Sequence, residues 1–117
     1  MLIRPIPSTG EAMPVIGLGT WRAFDAGAGE AARRPLREVL RLLFDAGGRM
    51  IDSSPMYGRA EAVTGELLAE MEARTRAFLA TKVWTTGRER GIEQMRRSAQ
   101  LLRTEGIDLM QIHNLVD

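Results

Sequence analysis

The 117-residue sequence contains no cysteine and a single histidine, and its positive and negative charges nearly cancel. Without cysteine there is neither a disulfide framework nor a thiolate metal site. A lone histidine argues against a metal centre built from imidazole ligands, so we expect no metal. The formal net charge is +1, and both signs are interspersed along the chain. We interpret the arginine pairs at 33–34 and 96–97 as solvated helix faces, and we expect no nucleic-acid partner.

Long apolar runs are also missing. No stretch approaches the roughly 18 apolar residues that a membrane-spanning helix needs, so we expect no membrane partner. The first seven residues, MLIRPIP, lack the continuous apolar segment of a secretory signal peptide, and we expect a cytoplasmic protein. The length suits one domain, 1–117, with a modest hydrophobic core.

The sequence does contain an alternation of short apolar segments and longer helical patterns. Apolar segments at 2–6 and 12–18 flank turn-forming residues and predict a β-hairpin, and residues 13–21 are expected to bend out of it into a longer strand. Residues 23–34 are interpreted as a loop. Further strands are predicted at 49–51, 77–81 and 107–112.

Three helices are predicted between these strands. The first begins at Pro35, because proline suits the first turn of a helix, and it ends at the glycine pair 47–48. The second covers about 59–72. The third starts from a capping box at 86–89 and extends to about residue 103.

Apolar residues recur at helical spacing and define the faces that we expect to be buried. Gly65 falls inside the second helix, where glycine is unfavourable, and we expect close packing to explain it. The predicted buried faces consist of Leu36, Val39, Leu40, Leu43 and Phe44 in the first helix, Val63, Leu67, Leu68 and Met71 in the second, and Ile92, Met95, Ala99 and Leu102 in the third.

Alternating strands and helices predict an α/β protein with a parallel sheet. Two architectures fit, an open doubly wound sheet and part of a (β/α)8 barrel. Both place functional residues at the carboxyl ends of strands. Three of the predicted strands run into ionisable residues there, namely Asp52, Lys82 and His113, and Tyr57 follows in the loop after Asp52.

A carboxylate, an ammonium, a phenol and an imidazole at one edge of a sheet define a particular chemistry. A phenol is a weak acid, but a nearby ammonium favours the phenolate, and a carboxylate holds that ammonium in place. The imidazole shares a substrate oxygen with the phenol. Such a set polarises a carbonyl group and delivers a proton to its oxygen, while the reductant has to come from a cofactor. The segment GLGTWR lacks the last glycine of the GxGxxG dinucleotide fingerprint.

Four segments resemble consecutive strand motifs of the aldo-keto reductases: 13–21 (MPVIGLGTW), 51–58 (IDSSPMYG), 80–84 (ATKVW) and 108–113 (DLMQIH). The resemblance covers essentially the whole chain. It implies the amino-terminal half of a (β/α)8 TIM-type barrel, with an N-terminal hairpin, the first four strands and three helices. It also implies reduction of aldehyde or ketone carbonyls with NADP(H), or alternatively NAD(H), and no metal.

The resemblance also implies roles for individual residues. Tyr57 matches the proton donor, Lys82 and Asp52 match its tuning pair, and His113 matches the residue that orients the carbonyl. The positions matching the cofactor site are Gly19, Thr20, Trp21 and Asp52. The positions matching the substrate pocket are Trp21, Trp84 and His113.

The chain departs from the family pattern in two respects. It carries four strand motifs where the family barrel has eight, so we expect the chain alone to be an incomplete, inactive fragment. Asn114 stands where many members have an aromatic residue. Two alternatives stay open: a non-catalytic nucleotide-binding or interaction module of the same fold, and a half-barrel that self-associates through exposed strand edges.

Overall fold

The computed structural model describes residues 1–115, so the last two residues of the predicted domain lie outside the described residues. Two antiparallel strands, β1 (Ile3–Pro5) and β2 (Ala12–Pro14), form an N-terminal hairpin. The remaining strands form one parallel sheet in the order β3-β4-β5-β6. These strands are β3 (Leu18–Gly19), β4 (Met50–Asp52), β5 (Phe78–Val83) and β6 (Leu109–Ile112).

Three helices connect the strands of the parallel sheet: α1 (Glu30–Asp45), α2 (Ala60–Glu70) and α3 (Arg88–Leu101). A short 3₁₀ turn, Arg74–Arg76, leads into β5. The predicted hairpin and the alternation of strand and helix are therefore confirmed. The longer strand expected after the hairpin is reduced to the two residues of β3, and the loop expected at 23–34 ends earlier because α1 has already begun at Glu30.

The start of α1 differs from the prediction. Pro35 is the sixth residue of the helix and not its first. Because Pro35 has no N–H, the carbonyl of Ala31 lacks its usual helical hydrogen bond. Ala31 lies in the exposed first turn, so the helix tolerates a proline at this position. The earlier start adds Arg33 to the inward face, three residues before Leu36.

Arg33 is consequently buried, and the expectation that it is solvated was wrong. Only 5% of the residue is exposed. Its Nη2 atom lies 2.7 Å from the Glu66 carboxylate, and its Nε atom donates a 2.7 Å hydrogen bond to the carbonyl of Gly27. These partners satisfy the guanidinium, as a buried charge requires. Arg34, Arg96 and Arg97 are exposed as expected.

The core lies between the helices and the parallel sheet. Most of the predicted inward residues of α1 and α2 are buried there, including Leu40, Val63 and Leu67, which have no exposed surface. Val39 is 39% exposed, so the apolar stripe of α1 is narrower than predicted. Ile92, Met95 and Ala99 of α3 are only half-buried, since this helix lies at the edge of the described helical layer.

The capping box predicted for α3 was also wrong. The helix begins at Arg88, after Gly87, whose φ of 83° is a conformation that glycine adopts readily. Thr86 therefore lies before the N-cap residue. Within residues 1–115, none of the helices is long and apolar enough to cross a bilayer.

Close packing accounts for Gly65, as predicted. A Cβ atom at this position would lie 2.2 Å from the carbonyl oxygen of Leu101 and 2.8 Å from the carbonyl carbon of Leu102. Because both atoms belong to the backbone, no side-chain rotation relieves the clash. Gly65 lets α2 approach the end of α3.

We expect Gly65→Ala to lower the free energy of unfolding by about 1–3 kcal/mol, because overpacking against backbone outweighs the gain in helix propensity. Gly91→Ala is the matched control, since Gly91 is also helical and its added Cβ would meet only a Val83 methyl at 3.5 Å. That control should stabilise by up to about 1 kcal/mol. Urea unfolding followed by circular dichroism measures both, and equal effects would contradict this account.

Candidate active site

The carboxyl ends of the four parallel strands meet at one rim of the sheet. Gly19 pairs with Asp52 across β3 and β4, and Lys82 pairs with Gln111 across β5 and β6. His113 follows β6 and extends its ladder, since its N–H donates to the carbonyl of Val83 at 3.0 Å. The register therefore places the polar strand ends next to one another.

An ion pair lies at the centre of this rim. The Nζ atom of Lys82 donates to Oδ2 of Asp52 at 2.7 Å and to the carbonyl oxygen of Ser53 at 2.6 Å. The other carboxylate oxygen, Oδ1, accepts a 2.7 Å hydrogen bond from the side-chain amide of Gln111. The Lys82 side chain is 13% exposed and that of Asp52 is 32% exposed. Both charges are therefore held by several partners, and the ammonium is largely shielded from water.

Tyr57 lies beside this ion pair, in the loop between β4 and α2. Its ring centroid is 5.1 Å from Nζ of Lys82. The ring of His113 approaches it edge-on at 6.2 Å between centroids, and the ring of Trp21 lies at 6.5 Å. A phenol, an ammonium and an imidazole thus share one small region at the rim.

The imidazole of His113 has one located polar contact. Its Nδ1 atom is 3.3 Å from Oγ of Ser54, a side chain with no exposed surface. Which of the two atoms donates depends on the imidazole tautomer. Ser54 therefore fixes the orientation of the ring.

Thr20 hydrogen-bonds the residues at the end of β4. Its N–H and its hydroxyl both lie 3.0 Å from the carbonyl oxygen of Asp52, and the hydroxyl is also 2.9 Å from Oγ of Ser53. Thr20 has no exposed surface. Gly19 faces open space, and Trp21 is 61% exposed. Of these three positions, only Gly19 and Trp21 therefore offer surface to a ligand.

Trp84 lies apart from the four ionisable groups. It is 46% exposed and lines a cavity of about 800 Å³ between the end of β5, α3 and β6. Val83, Ile92, Met95 and Ile112 also line this cavity, but Asp52, Tyr57, Lys82 and His113 do not. A role of Trp84 in substrate binding stays a prediction.

Three contributors to the site were not identified in the sequence. Gln111 holds Asp52, Ser54 contacts His113, and the Ser53 carbonyl accepts from Lys82. The period of two along a strand provides a signal for Gln111, because it lies two residues before His113 and interrupts apolar neighbours. No pattern marks the backbone carbonyl of Ser53.

A second carboxylate lies on the opposite face of β5. Glu61 of α2 is 2% exposed and accepts a 2.5 Å hydrogen bond from the hydroxyl of Thr81. Burial raises the pKa of Glu61 above its ordinary value, while the bond from Thr81 and the charge of Lys82 partly oppose the rise. Glu61 therefore binds a proton more readily in the folded protein than in the unfolded chain.

Comparisons with known proteins match this architecture. The model of the aldo/keto reductase family matches residues 15–116. The aldo-keto reductase YhdN of Bacillus subtilis is 32% identical over 92% of this chain and 36% of its own length. The methylglyoxal reductase YeaE of Escherichia coli is 36% identical over 86% of this chain and 35% of its own length. An aldo-keto reductase from Klebsiella pneumoniae, solved in complex with NADPH, superimposes with a TM-score of 0.81 at 30% identity over 100% of this chain and 41% of its own.

The chain belongs to the aldo/keto reductase family. It spans about a third of the length of these curated relatives and less than half of the solved Klebsiella chain. Its four parallel strands and three helices correspond to part of the family's (β/α)8 barrel, which confirms the fold predicted from the sequence and excludes the open doubly wound alternative.

Glu61 should make stability depend on pH. Because its pKa is raised in the folded state, the folded protein retains a proton that the unfolded chain has lost. The free energy of unfolding should therefore fall as pH rises from about 4.5 through the raised folded-state pKa. Glu61→Gln keeps the side-chain shape without the titration, so this fall should disappear.

Urea unfolding at a series of pH values from about 4.5 upward measures the effect. Glu105→Gln is the control, because Glu105 is exposed and should leave the slope unchanged. A Glu61→Gln variant with the same pH slope as the parent chain would disprove the assignment to Glu61.

Proposed function

We propose that this chain provides the acid–base groups of an NADP(H)-dependent reductase of aldehydes or ketones. One observation carries the proposal: the Lys82 ammonium is hydrogen-bonded to Asp52 and lies 5.1 Å from the ring centroid of Tyr57, and the ring of His113 approaches the Tyr57 ring edge-on at 6.2 Å. This is the combination that proton delivery to a carbonyl oxygen requires.

Each residue has a distinct role in this proposal. Tyr57 donates its hydroxyl proton to the carbonyl oxygen as negative charge develops there. The Lys82 ammonium stabilises the phenolate that remains, and Asp52 holds the ammonium in position. His113 is oriented by Ser54 and hydrogen-bonds the same carbonyl oxygen, which fixes the direction from which the substrate approaches.

The cofactor part of the proposal is supported by the open surface around β3. Gly19 faces free space at the carboxyl end of the strand, so a flat ring is able to approach its backbone. Trp21, which is 61% exposed, follows two residues later, and the solved Klebsiella pneumoniae relative contains NADPH. The cofactor, when bound, supplies the hydride that the carbonyl carbon receives. With the proton from Tyr57, this converts the carbonyl into an alcohol.

Replacement of Tyr57, the single tyrosine of the 117-residue sequence, tests the chemistry. Tyr57→Phe keeps the ring and removes the proton donor, so kcat should fall by about 10²–10⁴. The assay follows loss of NADPH absorbance with methylglyoxal as the probe substrate. It is run on the 117-residue chain, for which we expect negligible turnover, and on any longer gene product that contains this chain.

Met56→Leu is the matched control. Met56 is adjacent in the same loop, is 41% exposed and has no proton to donate, so turnover should be retained. Equal turnover of Tyr57→Phe and the parent protein would reject Tyr57 as the acid. Quenching of tryptophan fluorescence by NADPH without any carbonyl reduction would instead favour the non-catalytic nucleotide-binding module.

A second function, self-association of the half-barrel, is supported by the two open edges of the parallel sheet. Among the described strands, β3 and β6 each have a neighbour on one side only. Leu109 and Ile112 of β6 are 39% and 58% exposed, and Val15 and Ile16 before β3 are 44% and 59% exposed. Unpaired strand edges with apolar side chains favour pairing with another chain.

The 117-residue chain alone should therefore self-associate, as measured by size-exclusion chromatography with light scattering. Ile112→Lys introduces a charge at the β6 edge and should reduce the associated fraction. Leu42→Lys is the control, because Leu42 is equally exposed, at 53%, but lies on α1. A monodisperse, cooperatively unfolding monomer would contradict this second function.

A further inference from the structure

Asp25 makes a contact that no motif in the sequence predicts. It lies in the loop between β3 and α1, and its Oδ1 atom accepts a 2.9 Å hydrogen bond from the backbone N–H of Arg59. A Cβ atom at Gly58 would lie 2.5 Å from the carboxyl group of Asp25. The carboxylate therefore rests directly on the two residues that follow Tyr57.

The loop that carries Asp25 is held firmly by its own contacts. Phe24 is 1% exposed and anchors the loop in the core. The N–H of Asp25 donates to the carbonyl of Arg22 at 3.1 Å, and the N–H of Ala26 donates to the carbonyl of Phe24 at 2.9 Å. The carboxylate of Asp25 is thus presented from a fixed backbone, although the residue itself is exposed.

The segment that receives this carboxylate is short and sharply turned. Gly58 has a φ of 60°, and Arg59 immediately precedes α2 without a capping bond from its own side chain. Asp25 therefore supplies an acceptor for the N–H of the residue that caps α2, and its negative charge suits the amino end of a helix. Two features require glycine at position 58: its positive φ, and the Asp25 carboxylate in the space that a Cβ atom would occupy.

Tyr57 is bracketed by these contacts. Its N–H donates to the carbonyl of Ser54 at 3.0 Å, and its own carbonyl accepts from the N–H of Ala60 at 3.1 Å. The loop of Asp25 also carries Trp21, whose ring lies 6.5 Å from that of Tyr57. The same two loops therefore touch at the Asp25 contact and at the aromatic pair.

We propose that Asp25 is a positioning residue for Tyr57: by accepting the hydrogen bond of the Arg59 N–H and filling the space beside Gly58, it fixes the phenol relative to Trp21, Lys82 and His113. The importance of this position for catalysis rests on the proposed function. The position itself does not, because it is measurable without cofactor or carbonyl. Asp25 acts through the backbone and touches no reacting atom.

The single tyrosine makes the proposal directly testable. Labelling with 3-fluorotyrosine gives one ¹⁹F resonance, which reports the surroundings of Tyr57 alone. Asp25→Ala removes the acceptor and should shift or split that resonance. Asp25→Asn retains a side-chain oxygen for the Arg59 N–H and should restore the parent signal.

Asp108→Ala is the matched control for a purely structural effect. Asp108 also accepts a backbone hydrogen bond across elements, from Leu79 at 2.8 Å, but it precedes β6, at the amino ends of the strands and not at the rim. It should lower stability comparably and leave the ¹⁹F resonance in place. An unchanged resonance in Asp25→Ala, or an equal shift in Asp108→Ala, would overturn the proposal. So would an Asp25→Asn shift as large as that of Asp25→Ala.

Turnover separates this proposal from the proposed function. In whichever form of the protein shows measurable carbonyl reduction, Asp25→Ala should lower kcat about ten- to a hundredfold, since misplaced reacting groups lose rate steeply, and Asp25→Asn should recover most of it. If no carbonyl is reduced, the proposed function fails while the ¹⁹F comparison still decides the role of Asp25.

Discussion

Asp52 is the residue on which the rim of the sheet depends, because it connects all four parallel strands. Its backbone carbonyl accepts from Thr20 after β3, its Oδ2 atom accepts from Lys82 of β5, and its Oδ1 atom accepts from Gln111 of β6. A partly buried ion pair is favourable only when further hydrogen bonds replace the lost water. Gln111 and the Ser53 carbonyl provide them here, so the pair is held in one geometry.

The phenol is positioned in a different way from the charges. Asp52 and Lys82 lie on strands, whose ladder fixes them, whereas Tyr57 lies in a loop. The hydrogen bonds between strands fix the positions of Asp52 and Lys82, so other local contacts have to fix the position of Tyr57. Four contacts do this. The N–H of Tyr57 donates to the carbonyl of Ser54, the N–H of Arg59 donates to Asp25, and the rings of Trp21 and His113 lie beside the phenol. A rigid charge pair and a loop held at several points together define the site.

The sequence was sufficient for the parallel sheet and for the placement of polar groups at its carboxyl edge, because both follow from local patterns. It was insufficient where a remote partner decides the outcome. Arg33 is buried because the carboxylate of Glu66 in another helix pairs with it, and Asp25 meets Arg59 across 34 residues. The start of α1 at Glu30 was also mispredicted. The local signal was proline's preference for the first turn of a helix, and tertiary packing overrode it. Gln111 was predictable in principle, from its two-residue spacing to His113.

The position of Lys82 is finally constrained from both faces of β5. Successive residues of a strand point to opposite faces, so Thr81 meets Glu61 in the helical layer while Lys82 meets Asp52 at the rim. Burial favours the neutral form of Glu61, whereas the charge of Lys82 favours its ionised form. The two carboxylates therefore experience the same ammonium from opposite sides of one strand. The hydrogen bonds of Thr81 and Lys82 therefore hold β5 on both of its faces, and the bond from Lys82 to Asp52 keeps the ammonium beside the phenol.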